Sequence, residues 1–285
     1  EAPVKIVDWP QDKQDEFIIK DNVSGGEWDW ERLANDWDVA QLTAWGVELP
    51  DSLGSVDQTI EDEAPDLDAA KPAISKQNET YQLGRHRLMC GDSSDFGALS
   101  DLMDGRLADM VFTDPPYGIA KQMADGIGHK WNHEWDDCTP PEWLFGLMQE
   151  KAADLIIWGG NYYAMPPSRG WLAWRKPDRV QTMADFELAW TSIDMNCRRI
   201  RQTIAATNAE RVGHPTQKPV RVMEWSLSFC PDAKTVCDPF MGSGTTGVAC
   251  ANLRKAFTGI ERERKYFDIA CERIARAQAQ ERLFA

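Results

Sequence analysis

The residues best suited to chemistry stand together at Asp114-Pro115-Pro116-Tyr117. A planar exocyclic amine is a poor nucleophile, because its lone pair is delocalised into the ring that carries it. A carboxylate (Asp114) and a backbone carbonyl (Pro115) can each accept one N–H of such an amine. That favours a pyramidal nitrogen whose lone pair points at an electrophile. Pro116 has a fixed φ and keeps Pro115 extended, which holds the Pro115 carbonyl in place. Tyr117 offers an aromatic face to an unstacked base. The plain alternative is a Pro-Pro turn after an ordinary core strand.

The elements that must position this tetrapeptide are legible around it. Met110-Val111-Phe112-Thr113 is an apolar run that reads as a buried parallel strand. Such a strand presents its carboxyl end to a ligand crevice. A second strand, Thr235-Val236-Cys237-Asp238, runs into the Gly-rich turn Pro239-Phe240-Met241-Gly242-Ser243-Gly244-Thr245-Thr246. A helix is expected from there through Ala251. Glycines allow close backbone approach to a ligand, and a helix N-terminus adds a favourable dipole. Ala256–Glu261 then reads as a strand ending in an acid, about 20 residues past the glycines. A dinucleotide-type fold places its ribose-binding carboxylate there. Strand, turn, helix, strand and acid in register are far more specific than a lone Gly-rich turn.

These motifs resemble those of S-adenosylmethionine-dependent DNA amino-methyltransferases. In that family an Asp-Pro-Pro-Tyr element binds the target amine, and a Phe-x-Gly-x-Gly element (here Phe240, Gly242 and Gly244) binds the cofactor. His214-Pro215-Thr216-Gln217-Lys218-Pro219 is similar to the family's cofactor-side segment, and Gly91-Asp92 to its Gly-Asp, whose acid contacts the cofactor adenine. The resemblance spans roughly residues 81–285. The catalytic motif precedes the cofactor motif, which resembles the circularly permuted β class. The implied cofactor-binding residues are Asp92, His214, Thr216, Gln217, Lys218, Asp238, Phe240, Gly242, Ser243, Gly244, Thr245 and Glu261. The implied catalytic residues are Asp114, Pro115, Pro116 and Tyr117. The plain alternative for Asp92 is an N-cap or turn residue.

The resemblance implies a doubly wound, mostly parallel Rossmann-like α/β sheet and methyl transfer from S-adenosylmethionine to the N6 amine of adenine in DNA. The partner would be double-stranded DNA, with the base flipped out of the duplex. Asp rather than Ser at position 114 tilts the reading to adenine, by resemblance alone. Cytosine N4 is the nearest rival. RNA or protein-glutamine methylation is another, opposed by the motif order and the His214–Pro219 segment. A non-catalytic, partition-like DNA-binding module is a rival of a different class. A prokaryotic or phage-encoded cytoplasmic enzyme, orphan or in a restriction-modification pair, monomeric or homodimeric, fits this reading.

Charge appears at first to oppose a DNA partner. The net charge is −15, but residues 1–75 carry 19 acids against 5 bases. The remainder is therefore close to neutral. Acidic runs are usually solvated surface. Between Arg169 and Arg221 ten bases face five acids. There Arg175, Lys176, Arg198, Arg199 and Arg201 are candidates for phosphate and base-edge contacts. Lys121 and Lys130 are further candidates, in a loop over 118–141 that has no clear period and reads as a mobile flap. His129 and His133 lie four apart in that loop, but no third ligand accompanies them, so no metal site is expected. The short segment at 193–213 stands where the β class inserts its target-recognition region, which points to low sequence specificity.

The domain reading is 1–50 a helical appendage, 51–79 an acidic linker and 80–285 the catalytic domain. The appendage resembles the tail of a ParB-like domain without its nucleotide-binding core. Leu33, Trp37, Ala40, Leu42 and Trp45 give it an apolar helical face. The linker, with Glu61, Asp62 and Glu63 among few bulky residues, is expected to be disordered. Trp171–Trp174 and Phe186–Trp190 are expected to be the far-edge strands. No leader pattern is read at Glu1, and no apolar run approaches the ~20 residues of a membrane span. Seven cysteines (Cys90, Cys138, Cys197, Cys230, Cys237, Cys250 and Cys271) are scattered without a Cys-x-x-Cys pair. Reduced thiols are expected, and none is assigned a catalytic role.

Overall fold

The computed structural model describes residues 9–22, 42, 45–47, 73–118, 139–177, 184–203 and 217–283. The chain divides into two compact units, Glu1–Ile60 and Glu61–Ala285. In the first, Gln11–Asn22 form helix α1, and Ile19, Leu42 and Val47 are buried. Helix α1 precedes the Leu33–Trp45 face on which the helical reading of the appendage rested. Most of the Leu33–Trp45 face lies outside the described residues, as do 51–72 and most of the 118–141 loop.

The second unit is built on one nine-stranded sheet. In chain order its elements are β1 Glu79–Leu83, β2 His86–Cys90, α2 Ala98–Met103, β3 Ala108–Thr113, α3 Glu142–Lys151 and β4 Ala152–Trp158. There follow β5 Trp171–Arg175, β6 Phe186–Thr191, β7 Arg198–Arg201, α4 Val220–Leu227, β8 Thr235–Asp238, α5 Thr245–Asn252, β9 Ala256–Glu261 and α6 Arg264–Leu283. The strand order is β1-β2-β9-β8-β3-β4-β6-β5-β7. The pairs from β2 across to β4 are all parallel, whereas β6 runs antiparallel to β4 and β5.

Central strands are apolar at nearly every position because both faces of the sheet are covered. Met110 and Phe112 face the layer carrying α4, α5 and α6, while Val111 joins Leu99, Leu102, Leu144 and Met148 of α2 and α3 on the other side. Helix α4 buries Val220, Met223 and Leu227 at helical spacing, and it starts directly after Pro219. The sequence reading is corrected at the edges. The far edge is β7, parallel to β5, and lies inside the stretch read as a recognition segment. The near edge is β1, which pairs with β2. Among the described residues, no helix is long and apolar enough to cross a membrane.

One feature of the topology positions everything below. β3 and β8 are neighbours, yet β3 continues through α3 to β4 and β8 continues through α5 to β9, in opposite directions along the sheet. Diverging connections open a crevice at the carboxyl ends of the two strands.

Candidate active site

The tetrapeptide and the Gly-rich turn meet in that crevice. The pairing of Met110 with Val236 and Val111 with Cys237 brings the two strand ends level. Beyond them, the Thr113 hydroxyl donates to Asp238 Oδ1 at 2.6 Å. Asp238 is buried and accepts two more hydrogen bonds, from the Thr246 hydroxyl at 2.7 Å and the Phe240 amide at 3.0 Å. Burial pushes its carboxyl up to about 6, and the three donors partly offset that rise. Asp238 therefore ties β8, the turn and α5 to β3.

A cleft opens over this junction. Its lining includes Asp92, Asp114, Pro116, Gln217, Lys218, Asp238, Phe240, Gly242, Ser243, Thr245 and Glu261. The strand ends around it are stitched together: the Gly91 amide donates to Glu261 O, the Met241 amide to Ile260 O, and the Ser93 hydroxyl to Pro239 O. Glu261 Oε1 accepts from the Glu263 amide at 2.7 Å, and burial raises this carboxyl to about 7. Asp92 Oδ1 accepts from the Ser94 amide at 2.8 Å.

Two residues of the expected cofactor set are placed differently. A Cβ on Gly244 would lie 2.8 Å from Ala270 Cβ, so this glycine lets α6 pack against the turn. The side chain of Lys218 is buried, and its ammonium reaches Asp114 Oδ2, Glu187 Oε2 at 3.2 Å and the Tyr117 hydroxyl at 3.0 Å. Lys218 therefore sits with the Asp114–Tyr117 tetrapeptide. His214 and Thr216 lie outside the described residues.

Asp114 accepts at both oxygens, from Lys218 at Oδ2 and from the Tyr117 hydroxyl at Oδ1, 2.7 Å away. Burial, followed by the charges of Asp114 and Glu187, holds the Tyr117 phenol well above its ordinary range, so it stays a donor. The Tyr163 hydroxyl donates to the carbonyls of Pro115, at 2.8 Å, and Pro116, at 3.1 Å. A carbonyl has two lone pairs, so Pro115 keeps one for an incoming N–H. Tyr162 stacks on Tyr117 with ring centroids 4.8 Å apart and planes at 16°. Gly159 backs the same ring: a Cβ there would come within 2.1 Å of Tyr117 Cε1.

Tyr162, Tyr163, Glu187 and Arg273 were not singled out from sequence. The available signal for the two tyrosines was their place directly after the Gly159-Gly160-Asn161 turn that ends β4. Arg273 is buried on α6 and donates to Ser243 O at 2.6 Å and Ser243 Oγ at 3.0 Å, holding the Gly-rich turn from behind.

The expected phosphate-contact residues separate. Arg175 and Arg201 are exposed and lie opposite each other in the β5–β7 register, with Arg198 and Arg199 on the same edge strand. Lys176 is instead turned inward onto Glu187, its side chain 10% exposed, because that partly buried carboxylate needs a counter-charge. Lys121 and Lys130 lie outside the described residues, as do His129 and His133. Among the described residues no cluster of His, Cys, Asp and Glu is arranged to hold a metal.

Comparison with known proteins gives three kinds of match. The profile of a family described as DNA methylase (N6_N4_Mtase) matches residues 179–272. The chain is 25% identical over 239 residues to Type II methyltransferase M.HpaI of Haemophilus parainfluenzae, covering 66% of this chain and 74% of that protein. It is 44% identical over 62 residues to Type II methyltransferase M2.DpnII of Streptococcus pneumoniae, a match spanning 21% of this chain and 23% of that relative. Among solved structures, that of the M1.HpyAVI–SAM complex matches with a TM-score of 0.45 and 23% identity, covering 66% of this chain and 98% of that one.

Proposed function

We propose that this chain is a DNA methyltransferase of the N6/N4 family, to which its matches point, and that it methylates the exocyclic N6 amine of adenine in double-stranded DNA, with S-adenosylmethionine as donor. One observation carries the reading. Asp114 and the Gly-rich turn line a single cleft, and Thr113 and Asp238 bond the strands that bear them.

The residues present fit the donor. Gly242 has φ of +53°, a conformation that admits glycine and leaves backbone open to close approach. Asp92 and Glu261 bring two carboxylates to the same cleft, suited to the hydroxyl and amine donors of a nucleoside. Phe240 adds an aromatic ring to the cleft lining. S-adenosylmethionine supplies there a methyl group on a sulfonium, which an amine can displace in line.

The chain's own part is positioning and electrostatics. Asp114 and the Pro115 carbonyl each accept one N–H of the amine. The nitrogen lone pair would thereby be free to form the new N–CH3 bond, with the S–CH3 bonding pair left on the sulfur of a neutral thioether. The nitrogen then releases one proton to water. No covalent enzyme intermediate is needed, because the nucleophile belongs to the substrate. Cys237 and Cys250, buried beside the site, are pushed above the ordinary thiol range by desolvation and are unsuited to nucleophilic work.

Low sequence specificity belongs to the same reading. Arg175, Arg199 and Arg201 on the sheet edge suit phosphates, which carry no sequence information. Binding through them would be strongly salt-dependent. The motif order, with the catalytic strand before the cofactor strand, suits the permuted β class.

Incubating the protein with unmethylated DNA and S-adenosylmethionine, then analysing nucleosides by mass spectrometry, tests the reading. N6-methyldeoxyadenosine is expected. N4-methyldeoxycytidine instead would move the target to cytosine, and no methylated base would sink the reaction. Single-molecule sequencing of a methylated plasmid tests specificity. Modification confined to one motif of four or more base pairs would overturn the low-specificity part.

A further inference from the structure

The amine-binding tetrapeptide is backed by charges that the proposed reaction does not by itself require. Lys176, Glu187, Lys218 and Asp114 form a chain of alternating sign. Lys176 bonds Glu187 Oε1, Lys218 lies 3.2 Å from Glu187 Oε2, and Lys218 bonds Asp114 Oδ2. The chain joins four parts of the domain, since Glu187 stands on β6, Lys176 directly follows β5, Lys218 precedes α4 and Asp114 directly follows β3. Trp158 of β4 and Tyr117 close over the Lys218 ammonium, with ring centroids 5.3 and 5.5 Å away.

Buried ion pairs are poor sources of stability. Apolar residues of similar volume often serve as well, because desolvating the charges cancels much of their attraction. A neutral array concentrated on one side of a reacting carboxylate is therefore better explained by what it does to that carboxylate. Lys218 binds Oδ2, and Tyr117, itself bonded by Lys218, binds Oδ1. Two donors on two oxygens fix the rotation of the carboxyl plane. Orientation of an acceptor is the property on which amine binding depends.

Resting on the reading above, we propose that Glu187 is a positioning residue for methyl transfer. Through the Lys218 ammonium it fixes the plane of the Asp114 carboxylate, and Lys176 anchors Glu187 from the other side. Glu187 touches no substrate in this scheme. Its action passes through the charge and place of Lys218.

The electrostatics give the role a signature beyond packing. Burial alone would push Lys218 down. The carboxylates of Asp114 and Glu187 outweigh that and hold the ammonium above the ordinary lysine value. Burial would likewise push Glu187 up, yet Lys218 and Lys176 hold it below the usual carboxylate range. Asp238, the other buried carboxylate at the strand ends, is already bonded by Thr113, Thr246 and the Phe240 amide. Removing the charge of Glu187 leaves Lys218 with Asp114 alone against the same desolvation, so its titration must move down.

The test compares wild type, Glu187→Gln and Lys218→Arg as full chains carrying lysine labelled with 13C at Cε. Loss of one resonance in Lys218→Arg identifies Lys218. In Glu187→Gln that resonance is expected to titrate lower by about one unit or more. On unmethylated genomic DNA, kcat for Glu187→Gln is expected to fall about tenfold, and its decline on the alkaline side is expected to begin at lower pH than in wild type, because Lys218 loses its proton earlier. KM for S-adenosylmethionine should stay within about twofold, since the array lies on the amine side.

If Glu187→Gln does not fold, Glu187→Asp keeps the charge one methylene further back and is read the same way, with smaller shifts. Unchanged titration and an unchanged kcat–pH profile, beside an active wild type, would overturn the role of Glu187 alone. A wild type that transfers no methyl group would overturn the proposed reaction and this role with it.

Discussion

The rings of Tyr117 and Tyr162 lie nearly parallel, 4.8 Å apart at their centroids. Tyr117 is fixed by its hydrogen bond to Asp114 and by the backbone of Gly159, whereas Tyr162 is 46% exposed. Tyr162 thus covers the ring face on which an extrahelical base would stack. In the proposed reaction, entry of the base over Tyr117 requires Tyr162 to move. An aromatic pair of this kind is worth about 0.5–1.5 kcal/mol beyond its buried area. Tyr162→Ala is therefore expected to lower KM for DNA about two- to tenfold, with kcat little changed. Steady-state kinetics on unmethylated DNA decide it. A raised KM would show that Tyr162 forms a second wall for the base.

Asp114→Asn removes the charge but keeps the shape of the side chain at the amine site. Methyl transfer should fall about 10²–10³-fold, the usual effect of losing one preorganised electrostatic contact. Affinity for S-adenosylmethionine, measured by calorimetry, should stay within about threefold, because Asp114 serves the amine rather than the sulfonium. Substantial turnover in the purified variant would remove Asp114 from the mechanism.

The two glycines of the turn should fail in different ways. Gly242 lies on the cleft at φ of +53°, so Gly242→Val strains the turn and puts a branched side chain into the cleft proposed to hold the cofactor. A weakening of S-adenosylmethionine binding by at least about tenfold is expected. Gly244 faces Ala270, so Gly244→Ala forces α6 away and should lower the melting temperature. Its effect on affinity should be the smaller of the two. Unchanged calorimetric affinity in a folded Gly242→Val protein would remove the turn from the cofactor site.

Glu261 sets a pH dependence of stability. Burial raises its carboxyl from an ordinary 4.5 to about 7. Between those values the folded chain holds a proton that the unfolded chain releases. This contribution is therefore fully present below about 4.5 and is lost as pH rises through about 7. Asp238, raised to about 6, acts in the same direction. Glu261→Gln should flatten the fall in melting temperature between about pH 5 and pH 8 relative to wild type, read by thermal denaturation without ligand. Equal pH slopes in the two proteins would show that Glu261 titrates normally.

Sequence by itself determined the central strands, because apolar runs buried on both faces leave a local mark, whereas the edge strands β1 and β7 carry none. β3, β8 and β9 were legible for that reason, and α5 through the Gly-rich turn before it. The tetrapeptide and the Gly-rich turn were legible because glycine and proline restrict the backbone wherever they stand. Tertiary structure alone decided which side chains meet. The carboxylate of Glu187 looks like any strand acid until antiparallel β6 carries it to Lys218, and Lys176 looks like a surface base until Glu187 draws it inward. Gly244 reads as part of a ligand turn until α6 is packed against it. Arg273 sits in a helix full of charges, and only the packing of α6 onto the turn buries it. Such contacts join residues from 11 to 104 positions apart, and their energies depend on burial, which no local pattern encodes.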